Sequence, residues 1–281
     1  MNRTLQSNKK QFTLAIDFTS TKLSTVKIEA LDKNDLVPPT YYYRQEFEIN
    51  GTRKFRIPFP QSPNELIFKV YPANFKTYND YVQHGKNRPK TFDIVSSTTL
   101  PLETKTTWFS KKDRDFVKFA QKFCDNASWW SASHKDGTPS IYRSDCGQFT
   151  IDYYEKILDN KGNELNTPAR IGHETGNIEV SQRDFRKYTV PMRMIILLHE
   201  YSHKWRNEKT GLEIEDESGA DINGLLMYLS LGYSPVEAHE AFLQVFYGAR
   251  NDTNHARYLI IDDFIYKFEN GQLEEYFKNV A

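Results

Sequence analysis

Cysteine is scarce in this chain: only Cys124 and Cys146 are present. They show neither a C-x-x-C pair nor metal-knuckle spacing, and read as ordinary thiols of a reducing compartment. Long apolar runs are missing too. Nothing approaches eighteen consecutive apolar residues, so no transmembrane helix is expected. The first ten residues, "MNRTLQSNKK", are polar and do not read as a secretory leader. Net charge is also absent, with 37 Lys and Arg against 37 Asp and Glu. That balance argues against a nonspecific nucleic-acid binder. There are no repeats and no low-complexity tracts.

What is present suffices for a core. The chain has 281 residues, 38% of them hydrophobic and 14% aromatic, long enough for one large domain or two modest ones. Charge is uneven along it: residues 1–110 hold 16 Lys and Arg against 10 Asp and Glu, the remainder 21 against 27. A mildly basic front and a mildly acidic back suggest two regions of different character, each with a solvated surface.

Residues 12 to about 102 read as strands. "FTLAIDF", "KLSTVKIEALD", "TYYYRQEFEI", "RKFRIPF", "ELIFKVYPA" and "TFDIVSSTTL" are rich in Phe, Tyr, Ile, Val and Thr. Clusters such as "DKNDLVPP", "NGT" and "PQSPN" punctuate them. Six short strands with frequent turns predict a small β-sandwich-like domain over residues 1–104.

The pattern changes near residue 105. Ser110 and Asp113 have capping-box spacing, and Phe116, Phe119, Ala120 and Phe123 recur at helical intervals. An amphipathic helix is expected over about 111–125. "QFTIDYYEKIL" and "GNIEVSQRDF" then read as strands, and from Pro191 onward the pattern is helical. The fold class is therefore α+β, with a second domain over 105–281.

Near the centre of that domain stands "HEYSH", His199 to His203, directly behind the apolar run "MIILL". On a helix, positions i and i+4 lie one turn apart on the same face, so both imidazoles can reach one ion. Glu200 is offset to the rim, where a carboxylate can take a proton from water. This is the mechanical content of H-E-x-x-H. A zinc site of this kind needs a third protein ligand. Downstream comes "GLEIEDESGADINGLLMYLSLGY", in which Glu217 and Asp221 are again i and i+4. One can bind metal while the other accepts the ring N–H of a ligand histidine. Gly219 and Ala220 between them are small and allow close helix packing. Glu213, Glu215 and Asp216 are the alternative third ligands. Glu217 is preferred for its downstream acid, its small neighbours and its place on the helix proper.

His199-Glu200-x-x-His203 followed by Glu217-x-x-x-Asp221 resembles the gluzincin metallopeptidases, and "ESGAD" is similar to an element of their minigluzincin branch. The resemblance covers about residues 175 to 270. It implies a zincin-like domain with an active-site helix, a glutamate helix and a short mixed sheet whose edge strand aligns a peptide substrate. "GNIEVSQRDF" is the expected edge strand. It also implies Zn²⁺ on His199, His203 and Glu217, with Glu200 as general base and Asp221 orienting a ligand histidine. Such enzymes place a His, Tyr or Arg near the oxyanion. His255, Arg257 and Tyr258 in "NHARY" are the candidates, with His255 and Tyr258 preferred; Tyr201 and His173 are less well placed. The gap from His203 to Glu217 is short, and "NEKTG" with Gly211 must turn tightly.

The expected activity is zinc-dependent hydrolysis of peptide bonds in a peptide or protein substrate, with no nucleic-acid or membrane partner. A competing expectation is a structural or assembly protein, such as a phage virion component. In that case the β region would dock protein partners, and the zinc site would be structural or used once for processing. The two expectations place the chain in the cytoplasm or in a virion.

Overall fold

The computed structural model describes residues 1–34, 39–85, 87, 89, 91–105, 109–135, 137–205, 217–246 and 252–273. The chain divides into two compact units, Met1–Glu103 and Thr104–Ala281. Each combines sheet and helix, so the chain is mixed α and β.

The first unit contains β1 (Asn2–Gln6), β2 (Phe12–Asp32), β3 (Tyr41–Phe59), β4 (Glu65–Pro72), the short helix α1 (Tyr78–His84) and β5 (Asp93–Leu100). All pairings are antiparallel, in the order β1-β4-β2-β3, with β5 also on β2. Period-two alternation holds along Phe12–Ser20, where every second residue is buried.

Here the expectation of six short strands is corrected. The first two segments are one strand of 21 residues, and the next two are one of 19. The "NGT" cluster does not end a strand. It bends one: Gly51, at φ +71°, lies opposite Ser20, where the β2–β3 register shifts. The Ser20 and Ser24 hydroxyls donate to Thr91 O at 2.7 and 3.0 Å, fastening the kink. As a result Phe47 and Phe55 touch at 4.5 Å between ring centroids. Eight residues of straight strand would separate them by about 26 Å. The described strands form one bent sheet rather than two separately bonded ones.

The second unit begins with α2 (Lys111–Asn126), then a four-stranded sheet of β6 (Ser140–Arg143), β7 (Thr150–Tyr154), β8 (Ala169–Ile171) and β9 (Ile178–Ser181). One-turn α3 (Gln182–Phe185) leads into α4 (Val190–Ser202), α5 (Glu217–Ser230), α6 (Pro235–Ala241), a π-helical turn (Phe242–Phe246) and α7 (Asp252–Glu269). The sheet is mixed, in the order β6-β7-β9-β8, with only β7 and β9 parallel. This overturns the expected edge strand. "GNIEVSQRDF" supplies β9, which is interior, and its last residues turn into α3. The edge beside it is β8, too short to show in the sequence.

Helix α4 is buried along its whole length. Thr189 caps it, and Pro191 occupies its first turn. Two polar side chains fasten it to its surroundings. Arg193, fully buried, donates to the carbonyls of Phe185, Cys124 and Arg186 and to Ser128 Oγ, each at 3.1 Å. Tyr201 stacks on Phe116 at 4.1 Å and donates its hydroxyl to Asp113 Oδ1 at 2.7 Å. Asp113 also closes the capping box of α2, its Oδ2 accepting from Ser110 N. The capping box legible in the sequence thus reaches into α4. Cys124 is buried and Cys146 exposed, and neither is in a disulfide. Among the described residues, no helix is long and apolar enough to cross a membrane.

The double duty of Asp113 gives a graded prediction. Ser110→Ala removes one cap and lowers stability by about 1 kcal/mol. Asp113→Ala removes the cap and strands a buried phenol, and is expected to lower it by about 3 kcal/mol. Chemical denaturation of both variants reads the difference. Equal losses would show that the Tyr201–Asp113 bond contributes nothing.

Candidate metal centre

The last turn of α4 presents His199, and His203 follows as the helix C-cap. Its backbone remains right-handed helical at φ −65° and ψ −24°, so the one-turn spacing persists past the helix end. The two Nε2 atoms lie 3.0 Å apart. Helix α5 begins at Glu217, whose carboxylate oxygens sit 3.6 Å from His199 Nε2 and 3.6 Å from His203 Nε2. Donors bound at zinc–ligand distances to a tetrahedral ion stand about 3.3 Å from one another. The two imidazole nitrogens stand near that spacing, each faces its own Glu217 oxygen, Oε2 for His199 and Oε1 for His203, and one donor atom from each residue lies within 4.8 Å of the others. His199, His203 and Glu217 can therefore hold a metal ion. Glu213, Glu215, Asp216 and Gly211 lie outside the described residues.

Asp221, one turn along α5, sits behind the ligands. Its Oδ1 is 2.9 Å from His199 Nδ1, and its side chain is 1% exposed. A proton on Nδ1 facing Asp221 would leave the Nε2 lone pair of His199 toward the cation position. Arg257 of α7 grips the same carboxylate at both oxygens, Nε to Oδ2 at 2.8 Å and Nη2 to Oδ1 at 2.9 Å. Its Nη2 also lies 3.2 Å from Glu217 Oε2.

The electrostatics follow from burial and these contacts. Burial would raise the Asp221 pKa, but the hydrogen bonds from His199 and Arg257 hold it below the ordinary carboxylate value. Burial would depress His199, yet Asp221 outweighs it and leaves the imidazole above its usual value. His203 is pushed down by burial and by the neighbouring His199, against the pull of Glu217 and Asp221. Glu200 is pushed up to about 7, chiefly by burial. His199 pulls it back, Glu217 adds to the rise, and a backbone contact from Ile171 of β8 pulls it back further.

Glu200 opens onto a cavity of about 380 Å³ shared with the ligands, His173, Ile196, Ile171 and Val245. The cavity thus lies between the end of α4, the edge strand β8 and the π-helical turn.

The remaining candidates fall in different places. Of the "NHARY" residues, Arg257 is the one the structure brings onto the acidic pair. His255 is exposed on α7. Tyr258 sets its ring 6.0 Å from that of His239. Tyr201 points to α2, away from the ligand face, as its position in the motif implies. His173 does reach the cleft, with its ring centroid 6.3 Å from that of His203.

Close helix contact, expected at Gly219 and Ala220, is found at Gly224, one turn later. A Cβ on Gly224 would lie 3.0 Å from His199 N and 3.1 Å from both His199 Cα and Leu198 C. Sequence gives one hint of this: a glycine inside a strongly apolar helix needs a packing reason.

No protein-family model, curated protein or solved structure matches the chain.

Gly224→Ala tests the backbone contact. Helix propensity alone would favour alanine by about 1 kcal/mol. Overpacking two buried backbones typically costs about 1–3 kcal/mol. The expected result is a net loss of stability together with at least about tenfold weaker metal binding, since Glu217 and Asp221 ride on the displaced helix. Thermal melts and metal titration check both parts, and a stabilised variant with unchanged affinity would refute the contact.

Proposed function

We propose that this chain is a zinc-dependent peptide hydrolase of the gluzincin type. The observation that carries the reading is Glu200: a buried carboxylate opening on the same cavity as a His–His–Glu donor set. A purely structural metal site has no use for such a group, which favours hydrolysis over the structural or assembly reading.

His199, His203 and Glu217 would hold the ion, a nitrogen and oxygen set that suits zinc. When bound, Zn²⁺ supplies Lewis acidity, acidifying water and polarising a carbonyl. Glu200 accepts the proton of the attacking water and delivers it to the departing amine, while a C–O bond forms and the C–N bond breaks. Glu200 is buried and opens on the same cavity as the donor set, which places it to take up and return a proton there. Asp221 keeps His199 in the tautomer that offers Nε2. Arg257 neutralises Asp221 and steadies Glu217 from α7. Edge strand β8, which meets Glu200 at Ile171, is the strand that aligns an extended substrate backbone, in place of β9.

Two variants separate the roles. Glu200→Gln should bind zinc as the native chain does and lose turnover by about 10³-fold. Glu217→Ala should lose the metal. Zinc analysis alongside a peptide-library assay, with and without chelator, reads both. A chain that binds less than stoichiometric zinc, and is indifferent to Glu217→Ala, would sink the proposal.

Chelated protein offers a second check. Glu200 titrates at about 7 when folded against 4.5 for the ordinary group. The raised value means that its contribution is fully present below pH 4.5 and is lost as pH rises through 7. Ionising it in the fold costs up to about 3 kcal/mol by pH 8. Glu200→Gln should therefore stabilise the chelated protein at pH 8 and leave it unchanged at pH 4. Equal stabilities at both pH values would show that Glu200 is not desolvated.

A further inference from the structure

We propose that His173 is a catalytic residue of this site, donating a hydrogen bond to the substrate carbonyl oxygen as it gains negative charge, and that Lys204 is the residue that positions it. The proposal rests on the hydrolase reading above. It assigns to the β8–β9 turn the role that the sequence suggested for α7.

The turn is built to hold one shape. Gly172 N donates to Asn177 O at 2.9 Å, and Gly176 N to Gly172 O at 2.7 Å. Asn177 N donates to Thr175 Oγ1 at 3.2 Å. Lys204 then reaches across from the end of the His helix and donates through Nζ to His173 O at 2.7 Å and Glu174 O at 2.9 Å. Its stem runs against Gly176, where a Cβ would fall 2.8 Å from Lys204 Cδ and 3.3 Å from the Trp205 ring. Gly176 also has φ +73°, which a side chain would resist. Lys204 directly follows the ligand His203. The latch on the turn and the donor of the metal site are therefore adjacent residues, and the turn is registered against the ion position rather than against the sheet alone.

Distance decides what His173 can do from there. Two imidazoles on one tetrahedral ion have centroids about 5 Å apart, given ordinary zinc–nitrogen lengths. His199 and His203 stand at 4.6 Å, in keeping with a shared ion. His173 stands at 6.3 Å from His203, too far to join the donor set. It lines the same cavity as Glu200 and both ligand histidines. An exposed imidazole at that remove is placed to touch a group occupying the open corner, not the metal. A donor aimed at a developing oxyanion in such a cleft is worth about 10²–10³ in rate. No proton is transferred by His173 in this role. The bonds made and broken are those of the hydrolysis already described.

The test compares His173→Ala, His173→Gln, Lys204→Met and the double variant His173→Ala/Lys204→Met with the native chain. Three readings are taken: bound zinc, kcat and KM on a cleaved peptide, and affinity for a phosphonate analogue of that peptide by calorimetry. His173→Ala should keep full zinc, lower kcat about 10²-fold with little change in KM, and weaken the phosphonate by a similar factor. His173→Gln, which keeps an N–H donor, should recover part of the loss. Lys204→Met should lose about tenfold, and should add nothing in the His173→Ala background, because the two act as a unit. Native kcat and phosphonate affinity in His173→Ala would remove His173 from the reaction. Loss of zinc in that variant would make it a metal ligand and overturn the proposal equally. Losses that multiply in the double variant would remove the positioning role of Lys204. A native chain without zinc or hydrolysis, seen before any variant is compared, overturns the underlying reading and this assignment with it.

Discussion

The second unit is organised around a carboxylate taken out of water. Asp221 is essentially inaccessible, and an isolated buried charge would be prohibitively unfavourable. It is tolerated because His199 from α4 and Arg257 from α7 meet it at hydrogen-bonding distance. Those contacts constrain three helices at one point. Moving α7 leaves the carboxylate uncompensated on one side, and rotating α4 leaves it so on the other. Whatever else the helices contact, they are obliged to converge here. The convergence fixes Glu217 one turn away, opposite two imidazoles.

The same constraint separates two acids that lie close in space. Asp221 and Glu200 are both buried, yet one is held below the usual carboxylate range and the other lifted to about 7. The difference lies in their partners. Asp221 has two cationic or proton-donating neighbours in direct contact. Glu200 is raised chiefly by burial, with an acid, Glu217, among its neighbours. Divergent environments for paired acids are how a site keeps one group permanently charged and leaves another free to exchange a proton near neutrality. A cation at the His–His–Glu set would favour the ionised form of Glu200. On the proposed reading, metal binding therefore prepares the base as well as the water.

Sequence made the short-range part of this legible. The His199–His203 pair and the Glu217–Asp221 pair each follow from helical spacing of four residues within one helix, and Glu200 from its place beside His199. The capping box at Ser110 and Asp113 is equally local. Contacts that depend on distant segments were not legible. Arg257 stood in "NHARY" beside two residues with better-known oxyanion roles, and only the packing of α7 on α5 distinguishes it. Strand β8 is three residues long and has no periodicity to read. "GNIEVSQRDF" alternates well enough to predict a strand, but nothing in alternation tells an interior strand from an edge. In the first unit, "NGT" carries every local sign of a turn. The paired register of two long strands overrides it and converts a turn into a bend.

The site's place at the end of α4, rather than along it, has its own physical reason. A helix buried on all sides has no face to spare for a polar group except at its ends. The apolar run through Leu198 fills the interior, and polarity begins where the run stops. At that C-terminal end the helix dipole is negative, which favours a cation, while Glu217 sits at the N-terminus of α5, where the dipole favours an anion. Each effect is worth only about 0.3–1 kcal/mol at a surface, more where water is scarce. The first favours a bound cation directly, while the second favours the ionised form of Glu217. The last carbonyls of α4 are also occupied: Leu198 O accepts from Ser202 Oγ at 2.7 Å, and Tyr201 O from the amides of Lys204 and Trp205 at 3.1 Å. Water entering the cavity meets Glu200 and the ligand histidines, the groups that a hydrolase would set to work on it.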